Sequence, residues 1–312
     1  MPLDLKNIKI PIVVGPTAIG KTSLSLLIAE KLDSEIISAD SRQMVREMTI
    51  GTAKPTPEEL SKAKHHFINI IEPTDDIYNS YIYGNEVREK LTDLYSTGKK
   101  AILCGGSGLY IQSAVHGFFD DLGINDVEKL EYRKELEQLP IEHCYSMLQK
   151  ADPKYAEKTP PGQRQRIHRA LEVFHFTGKK LSELHTEHQE KRFFQPIYIG
   201  LNLDREKLYE RINSRVLTMI DEGLIEEVES LANKYGSDLK RLTKTIGYKE
   251  VVQFLNGSIS KDTMIEEIQK NTRHFSKRQI TWFKRIKEVQ WFGPIQIKDI
   301  FSSLSNSLST SP

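Results

Sequence analysis

"VVGPTAIGKTSLSLLIAEKL", Val13 to Leu32, is the stretch whose reading decides the fold. Within it Gly15, Pro16, Thr17, Ala18, Ile19, Gly20, Lys21 and Thr22 satisfy G-x-x-x-x-G-K-[ST] without interruption. Before the loop, "IKIPIVVG" is an apolar run of strand character. After it, Leu24, Leu27, Ile28 and Leu32 recur at helical spacing and predict one apolar helix face. Strand, glycine loop and helix in that order form a phosphate cradle. Glycines allow backbone N–H groups to approach phosphate oxygens, and the helix N-terminus adds partial positive charge. Lys21 would supply a point charge and the Thr22 hydroxyl a Mg²⁺ ligand.

Outward from the loop, "EIISAD" (35–40), "FINII" (67–71) and "AILCGG" (101–106) read as further strands. Helical segments such as 79–96 separate them. Strands alternating with helices predict an α/β fold, a P-loop core whose parallel sheet is flanked by helices. The alternation stops near Gly117. Residues 119–195 hold charged helical stretches punctuated by Pro140, Pro153, Pro160, Pro161, Gly162 and Gly178. "PIYIGLNL" (196–203) then returns to the sheet, and helices follow. The expected organisation is a catalytic core of 1–118 and 196–304, a helical insertion domain at 119–195, and a frayed tail at 305–312.

Composition bounds the function classes. With 312 residues, 38% hydrophobic and 28% charged, the chain reads as a globular protein with one large core and a second lobe. No apolar run approaches the ~20 residues that cross a bilayer, so no membrane association is expected. The first ten residues lack the layout of a secretory signal. Two cysteines, Cys104 and Cys144, exclude a four-cysteine zinc site and predict a reduced, cytoplasmic setting. The net charge of +1 conceals segregation, because Asp120–Glu137 is acidic and later segments are basic.

Many enzymes of this fold class place a Mg²⁺-holding acid at the end of a second strand to cleave a terminal phosphate. Here "AILCGGSGLY" ends its strand on Gly105, Gly106 and Ser107, and the carboxylate stands at the end of "EIISAD", as Asp40. That moves the expected chemistry from a terminal phosphate to whatever lies beside Asp40. On residue type alone Asp40 is open between a base and a structural hydrogen-bond acceptor. Ser107 is open between an orienting hydroxyl and a turn serine, and Arg215 between an anion clamp and a solvated helix arginine.

"GPTAIGKT", "DSRQMVREMTIGTAKP" (40–55), "HHFINIIEP" (65–73), "GGSGLYI", "INSRVLTMIDEGL" and "KRQITWFKR" occur in the same order as in the bacterial tRNA dimethylallyltransferases. The chain resembles that family from about Ile10 to Trp291. The resemblance implies transfer of a dimethylallyl group from dimethylallyl diphosphate to the exocyclic amine of adenosine 37, next to the anticodon. It implies Asp40 as the base, Ser107 as an orienting group, and Arg215 with Lys21 and Thr22-bound Mg²⁺ on the departing diphosphate. It implies tRNA contacts from Asp40, Ser41, Arg42 and Gln43, from Gln165, Arg166, Ile167, His168 and Arg169, and from Lys244, Thr245, Ile246, Gly247, Tyr248 and Lys249. The expected partners are dimethylallyl diphosphate and the tRNA anticodon stem-loop, and a monomer is expected. An exocyclic adenine amine is a poor nucleophile, so a base and an electrostatic clamp on the leaving group are the chemistry it needs.

The chain departs from the family at Val45 and Glu47, where tyrosine and glycine are frequent, and at Ser107, where threonine is usual. Residues 158–192 carry eight Lys/Arg against four Asp/Glu, and 270–287 carry seven Lys/Arg and no acid. Such patches suit an RNA backbone. Phe275, Trp282, Phe283 and Ile286 fall at helical spacing and are expected in the core. The competing readings are prenyl transfer to free adenine nucleotides, a P-loop small-molecule kinase, and a non-catalytic RNA-binding module. The last would leave Lys21, Thr22 and Asp40 together without a purpose.

Overall fold

The computed structural model describes residues 3–75, 78–117 and 126–309. The chain divides into two compact units, Met1–Val115 with Phe193–Pro312, and His116–Arg192. The insertion's expected start at 119 lies outside the described residues, and β-structure resumes just after the second boundary, at Gln195.

The larger unit is built on a parallel sheet. β1 (Lys9–Val14) leads into α1 (Lys21–Leu32), and β2 (Ser34–Ser38) is followed by α2 (Pro57–Lys62) and β3 (His65–His66). Next come α3 (Ser80–Ser96), β4 (Lys100–Gly105) and α4 (Gly108–His116). The smaller unit holds α5 (Asp126–Gln138), α6 (Ile141–Ala151), α7 (Pro153–Glu157), α8 (Arg164–Thr177) and α9 (Leu181–Glu190). The larger unit resumes with β5 (Gln195–Leu201), α10 (Arg205–Asp221), α11 (Leu224–Tyr235), α12 (Lys240–Lys244), α13 (Tyr248–Leu255) and α14 (Lys261–Phe283). β6 (Gln290–Phe292) and α15 (Ile297–Ser309) complete it.

The strand order is β3-β2-β4-β1-β5-β6, and every ladder is parallel. Strand residues alternate between two cores. Ile12, Val14, Ile37 and Leu103 join the core shared with α3, α4 and α11–α14. Val13, Ile36, Ile102 and Ile199 join the core under α1, α10 and α15. Both faces are thereby covered, as parallel sheets require. In the smaller unit, Leu136, Leu148, Ile167, Leu171 and Leu184 form a separate helical core.

Four sequence expectations are corrected. "FINII" is not a strand: β3 is only His65–His66, because Phe67 and Asn69 adopt left-handed φ values of 64° and 56° that extended pairing does not tolerate. Leu27 is 41% exposed, so the expected apolar face of α1 narrows to Leu24, Ile28 and the partly buried Leu32. β6 adds an edge strand where helices alone were expected. The tail is helical to Ser309 and buries Leu304, while 310–312 lie outside the described residues.

The ends of β2 and β4 meet at Gly105. A Cβ placed there would lie 2.1 Å from the Ala39 carbonyl oxygen, well inside van der Waals contact and against backbone that cannot rotate away. Gly105→Ala is therefore expected to destabilise the protein by about 2–4 kcal/mol, read as a shift of the urea midpoint. Wild-type stability would contradict the close approach.

Candidate active site

Open α/β sheets place ligands at the carboxyl ends of their strands, and here β1, β2 and β4 end side by side. A cavity of about 380 Å³ opens at that edge. Its wall contains Thr17, Ala18, Ile19, Gly20, Lys21 and Thr22 from the loop, Asp40 and Gln43 from beyond β2, and Arg215 from α10. Sequence reading singled out all nine. Gly15 and Pro16 stand behind the wall as the loop's entry. Ala18 and Gly20 adopt left-handed φ values of 62° and 102°, which bends the loop around the cavity.

The cations are desolvated. Burial lowers the Lys21 pKa, opposed by Cys104 and Asp40 and assisted by Arg215. The Lys21 ammonium rests 2.8 Å from the Pro16 carbonyl. Burial likewise lowers the Arg215 pKa, opposed by Asp40. Arg215 Nη1 donates to Thr17 Oγ1 at 3.3 Å, so it is a lining group and not a solvated helix arginine. Arg211 joins it on the wall and reaches the Ile19 carbonyl at 3.4 Å.

Asp40 acts as a structural acceptor through one oxygen and keeps the other open. Its Oδ1 accepts the Arg42 N–H at 3.0 Å, which fixes the turn, while Oδ2 has no hydrogen bond among the described residues. The Ser107 N–H binds the Ala39 carbonyl at 3.1 Å, and Ser107 Oγ accepts the Ser41 N–H at 3.1 Å. Ser107 thus holds the Asp40 turn from behind and is absent from the cavity wall. Its hydroxyl also donates to Ser41 Oγ at 3.4 Å, so the two serines are linked beside Asp40.

The residues expected at the RNA divide between core and surface. Ile167 and His168 are buried in the helical core of the smaller unit, and Arg169 pairs with the fully buried Glu172, as does Arg133 at 2.5 Å. Gln165 and Arg166 are exposed. In "KTIGYK" only Lys244 and Lys249 are exposed. Thr245 and Tyr248 are buried, Ile246 packs on the core, and Gly247 donates to Glu250 at 2.8 Å. On α14 and just beyond it, Phe283 is fully buried and Trp282 and Ile286 pack on the core as expected, whereas Phe275 is half-buried beside Arg278.

Besides Arg211, sequence reading missed three groups. Gln279 is buried, accepts the Thr17 N–H at 2.8 Å and donates to the Gly106 carbonyl at 3.1 Å, tying the phosphate loop to the β4–α4 turn. Its signal was a polar residue inside an otherwise core-facing helical stripe. Glu59 lines the cavity and closes a capping box with Thr56. Lys54 also lines it; its ammonium binds Asn69 Oδ1 at 2.5 Å and the Val45 carbonyl.

A magnesium ion finds oxygen donors here. The Thr22 hydroxyl on the wall makes no hydrogen bond among the described residues, and Asp40 offers a free oxygen. Among the described residues no group of three or more His, Cys, Asp or Glu could hold a metal ion alone. Two protein oxygens completed by diphosphate oxygens match the way Mg²⁺ is usually held.

Burial draws the Lys54 pKa from 10.5 to about 8, against the opposing charge of Glu227. The folded protein therefore releases this proton before the unfolded chain does. The charged form costs stability below about pH 8, and the cost is relieved as the pH rises toward 10.5. Urea unfolding at about pH 7.5 and 9.5 should show wild type gaining on the order of 1–2 kcal/mol relative to Lys54→Met. A constant difference would contradict the shift.

The geometry has counterparts among known proteins. The IPP transferase family profile matches residues 43–286. The tRNA dimethylallyltransferase of Thermotoga maritima is 44% identical over 287 residues, covering 91% of this chain and 92% of that protein. The one from Bacillus pumilus is 42% identical, covering 92% and 91%. The crystal structure of the Bacillus halodurans tRNA isopentenylpyrophosphate transferase superposes with a TM-score of 0.72 at 32% identity, covering 96% of both chains. A eukaryotic dimethylallyltransferase acting on tRNA superposes with a TM-score of 0.80 at 27% identity, over 96% of this chain and 77% of that one. With its phosphate loop, the Asp40 turn and Arg215 gathered on one cavity, this chain belongs to the IPP transferase family.

Proposed function

We propose that this chain is a tRNA dimethylallyltransferase, moving a dimethylallyl group from dimethylallyl diphosphate to the exocyclic amine of adenosine 37. The observation that carries the reading is the single cavity wall shared by the phosphate loop, the cations Lys21, Lys54, Arg211 and Arg215, and Asp40. Four cations against Asp40 and Glu59 suit a diphosphate. Arg215 grips phosphate oxygens bidentately where a lysine acts as a point charge.

In the reaction the amine nitrogen forms a bond to the allylic carbon as that carbon's bond to the diphosphate oxygen breaks. The diphosphate leaves with the bonding pair. Asp40 Oδ2 takes the amine proton, and Oδ1 keeps the carboxylate oriented through the Arg42 N–H. Lys21 and Arg215 stabilise the charge that develops on the departing oxygens. The Thr22 hydroxyl would hold Mg²⁺, which when bound neutralises part of that diphosphate charge.

The target base has to leave its stack to reach a recessed carboxylate, which favours a loop over a duplex. The smaller unit is assigned to tRNA binding through its exposed Gln165 and Arg166, with Lys244 and Lys249 from the larger unit. A kinase reading finds less support, because β4 ends on glycines and lacks the acid that such enzymes place there. Among the described residues no helix is long and apolar enough to cross a membrane, and both cysteines are free thiols.

The direct test incubates the protein with radiolabelled dimethylallyl diphosphate and either tRNA or AMP. Label entering tRNA supports the proposal, and label entering AMP alone, or ATP-dependent phosphorylation of a metabolite, overturns it. Asp40→Asn should retain binding of diphosphate and tRNA while transfer falls by roughly 10²–10⁴-fold; undiminished transfer removes Asp40 from the role. Arg166→Ala should weaken tRNA binding and reduce the slope of log K against log salt by about 1. An unaltered slope counts against this residue as a phosphate contact.

A further inference from the structure

One carboxylate in the larger unit is occupied out of proportion to its position on the surface helix α11. Glu227 Oε2 accepts the N–H groups of Thr49 at 2.9 Å and Ile50 at 2.8 Å. Its Oε1 accepts the Gly51 N–H at 3.3 Å and the Tyr248 hydroxyl at 2.6 Å. Three successive backbone amides therefore converge on one side chain, a concavity suited to an anion and here filled from within the fold. Tyr248 is fully buried, and a Cβ on Gly51 would come within 2.4 Å of its ring, so the loop backbone lies directly on the tyrosine.

The same loop forms part of the cavity wall. Thr52, Ala53 and Lys54 line it, and the Thr52 and Ala53 carbonyls accept from Gln43 Nε2 at 3.4 and 2.9 Å. Gln43 Oε1 accepts the Ser38 hydroxyl at 3.4 Å, at the end of the strand that carries Asp40. The contacts run unbroken from Tyr248 through Glu227, the loop amides and the loop carbonyls to Gln43. None of these polar contacts is needed for the hydrophobic packing of α11, which Leu224, Val228 and Leu231 accomplish on their own.

We propose that Glu227 is a positioning residue for prenyl transfer, mooring the Thr49–Lys54 loop so that Gln43 is held beside Asp40 at the cavity. The assignment rests on the functional reading above for its catalytic consequence, while the mooring itself is measured independently. It also accounts for Tyr248 of "KTIGYK", whose hydroxyl orients the carboxylate and is not offered to RNA. Ionised, Glu227 satisfies four donors with two oxygens. A glutamine has a single acceptor oxygen and would turn an NH₂ group toward donors, so it breaks at least half of the set.

The test uses the full chain with Glu227→Gln and Tyr248→Phe, at 25 °C and on protein verified as folded. In Glu227→Gln, kcat for transfer to tRNA should fall about tenfold or more while the Kd for dimethylallyl diphosphate stays within about twofold, because the phosphate loop is held separately. Tyr248→Phe removes the bond that orients the carboxylate, loosening its hold on the three amides, and should cost about threefold in kcat. Amide exchange at Thr49, Ile50 and Gly51 should be slow in wild type and faster in both variants. A purely structural role would lower Tm and leave kcat and the Kd unchanged, and that result overturns the assignment. Should Glu227→Gln fail to fold, Tyr248→Phe decides: wild-type kcat with unaltered exchange overturns it. If the wild type moves no label to tRNA, the functional reading fails, and the exchange data still decide whether Glu227 moors the loop.

Discussion

Ala39 and Gly105 lie so close that no side chain fits between them, and the arrangement of the candidate site descends from that contact. Parallel pairing of β2 with β4 and of β4 with β1 brings three strand ends to one level. The Ala39 N–H then bonds the Cys104 carbonyl at 2.8 Å, and the Ala39 carbonyl receives the Ser107 N–H. With the backbone locked on both sides, the chain turns at Asp40 toward the neighbouring phosphate loop. Gln279 closes the other side by bonding both Thr17 and Gly106. Loop, aspartate turn and glycine turn are thus joined by backbone bonds, which gives the reacting groups a rigid frame and keeps reorganisation small.

Electrostatics complements the frame. Lys21, Arg215 and Lys54 all have pKa values lowered chiefly by burial, so each cation has lost hydration that the protein's own acids only partly restore. Such a wall is incomplete until an anion with several oxygens arrives. Carboxylate placement then separates the chemistries available to a phosphate loop. An acid at the end of β4 would address a terminal phosphate, whereas Asp40 at the end of β2 addresses a group delivered beside the anion. That distinction comes from position in the sheet, and the loop motif by itself does not contain it.

The phosphate loop, α1, β1, β2, β4 and β5 were legible in the sequence because each coincides with a local signal: glycine spacing, helical period, or an apolar run of strand length. Legibility failed wherever tertiary contact overruled the local pattern. "FINII" has strand composition, yet Phe67 and Asn69 take left-handed φ, and Asn69 accepts the Lys54 ammonium. Ile167, His168 and Tyr248 lie within basic segments and read as surface, yet they face helical cores. Ser107 was legible as important, but its bonds to the Ser41 N–H and hydroxyl were not, since their partner lies 66 residues away. Gln279 and Glu227 are invisible in sequence for another reason. Their partners lie 262 and about 177 residues away, and no local spacing encodes such contacts.

The departures at Val45 and Glu47 show how local the tolerance of this framework is. Glu47 adopts φ 61°, a conformation that favours glycine, and a non-glycine residue there costs on the order of 1–2 kcal/mol. Its carboxylate meets Lys234 Nζ at 2.9 and 3.0 Å and the Tyr235 hydroxyl at 2.7 Å, at the end of α11. These contacts at the end of α11 act against the backbone strain, weakened by their exposure to solvent. Val45 is fully buried, bridges Ile71 and gives its carbonyl to Lys54. Glu47 is absorbed by α11, which also supplies Glu227, and Val45 by Ile71 and Lys54. Asp40 lies on the opposite side, fixed by β4 and Ser107, so the loop's outer contacts can vary while the geometry at the carboxylate does not. The loop between these two moorings is where sequence change in this chain can alter how a nucleotide is received without altering how the diphosphate is held.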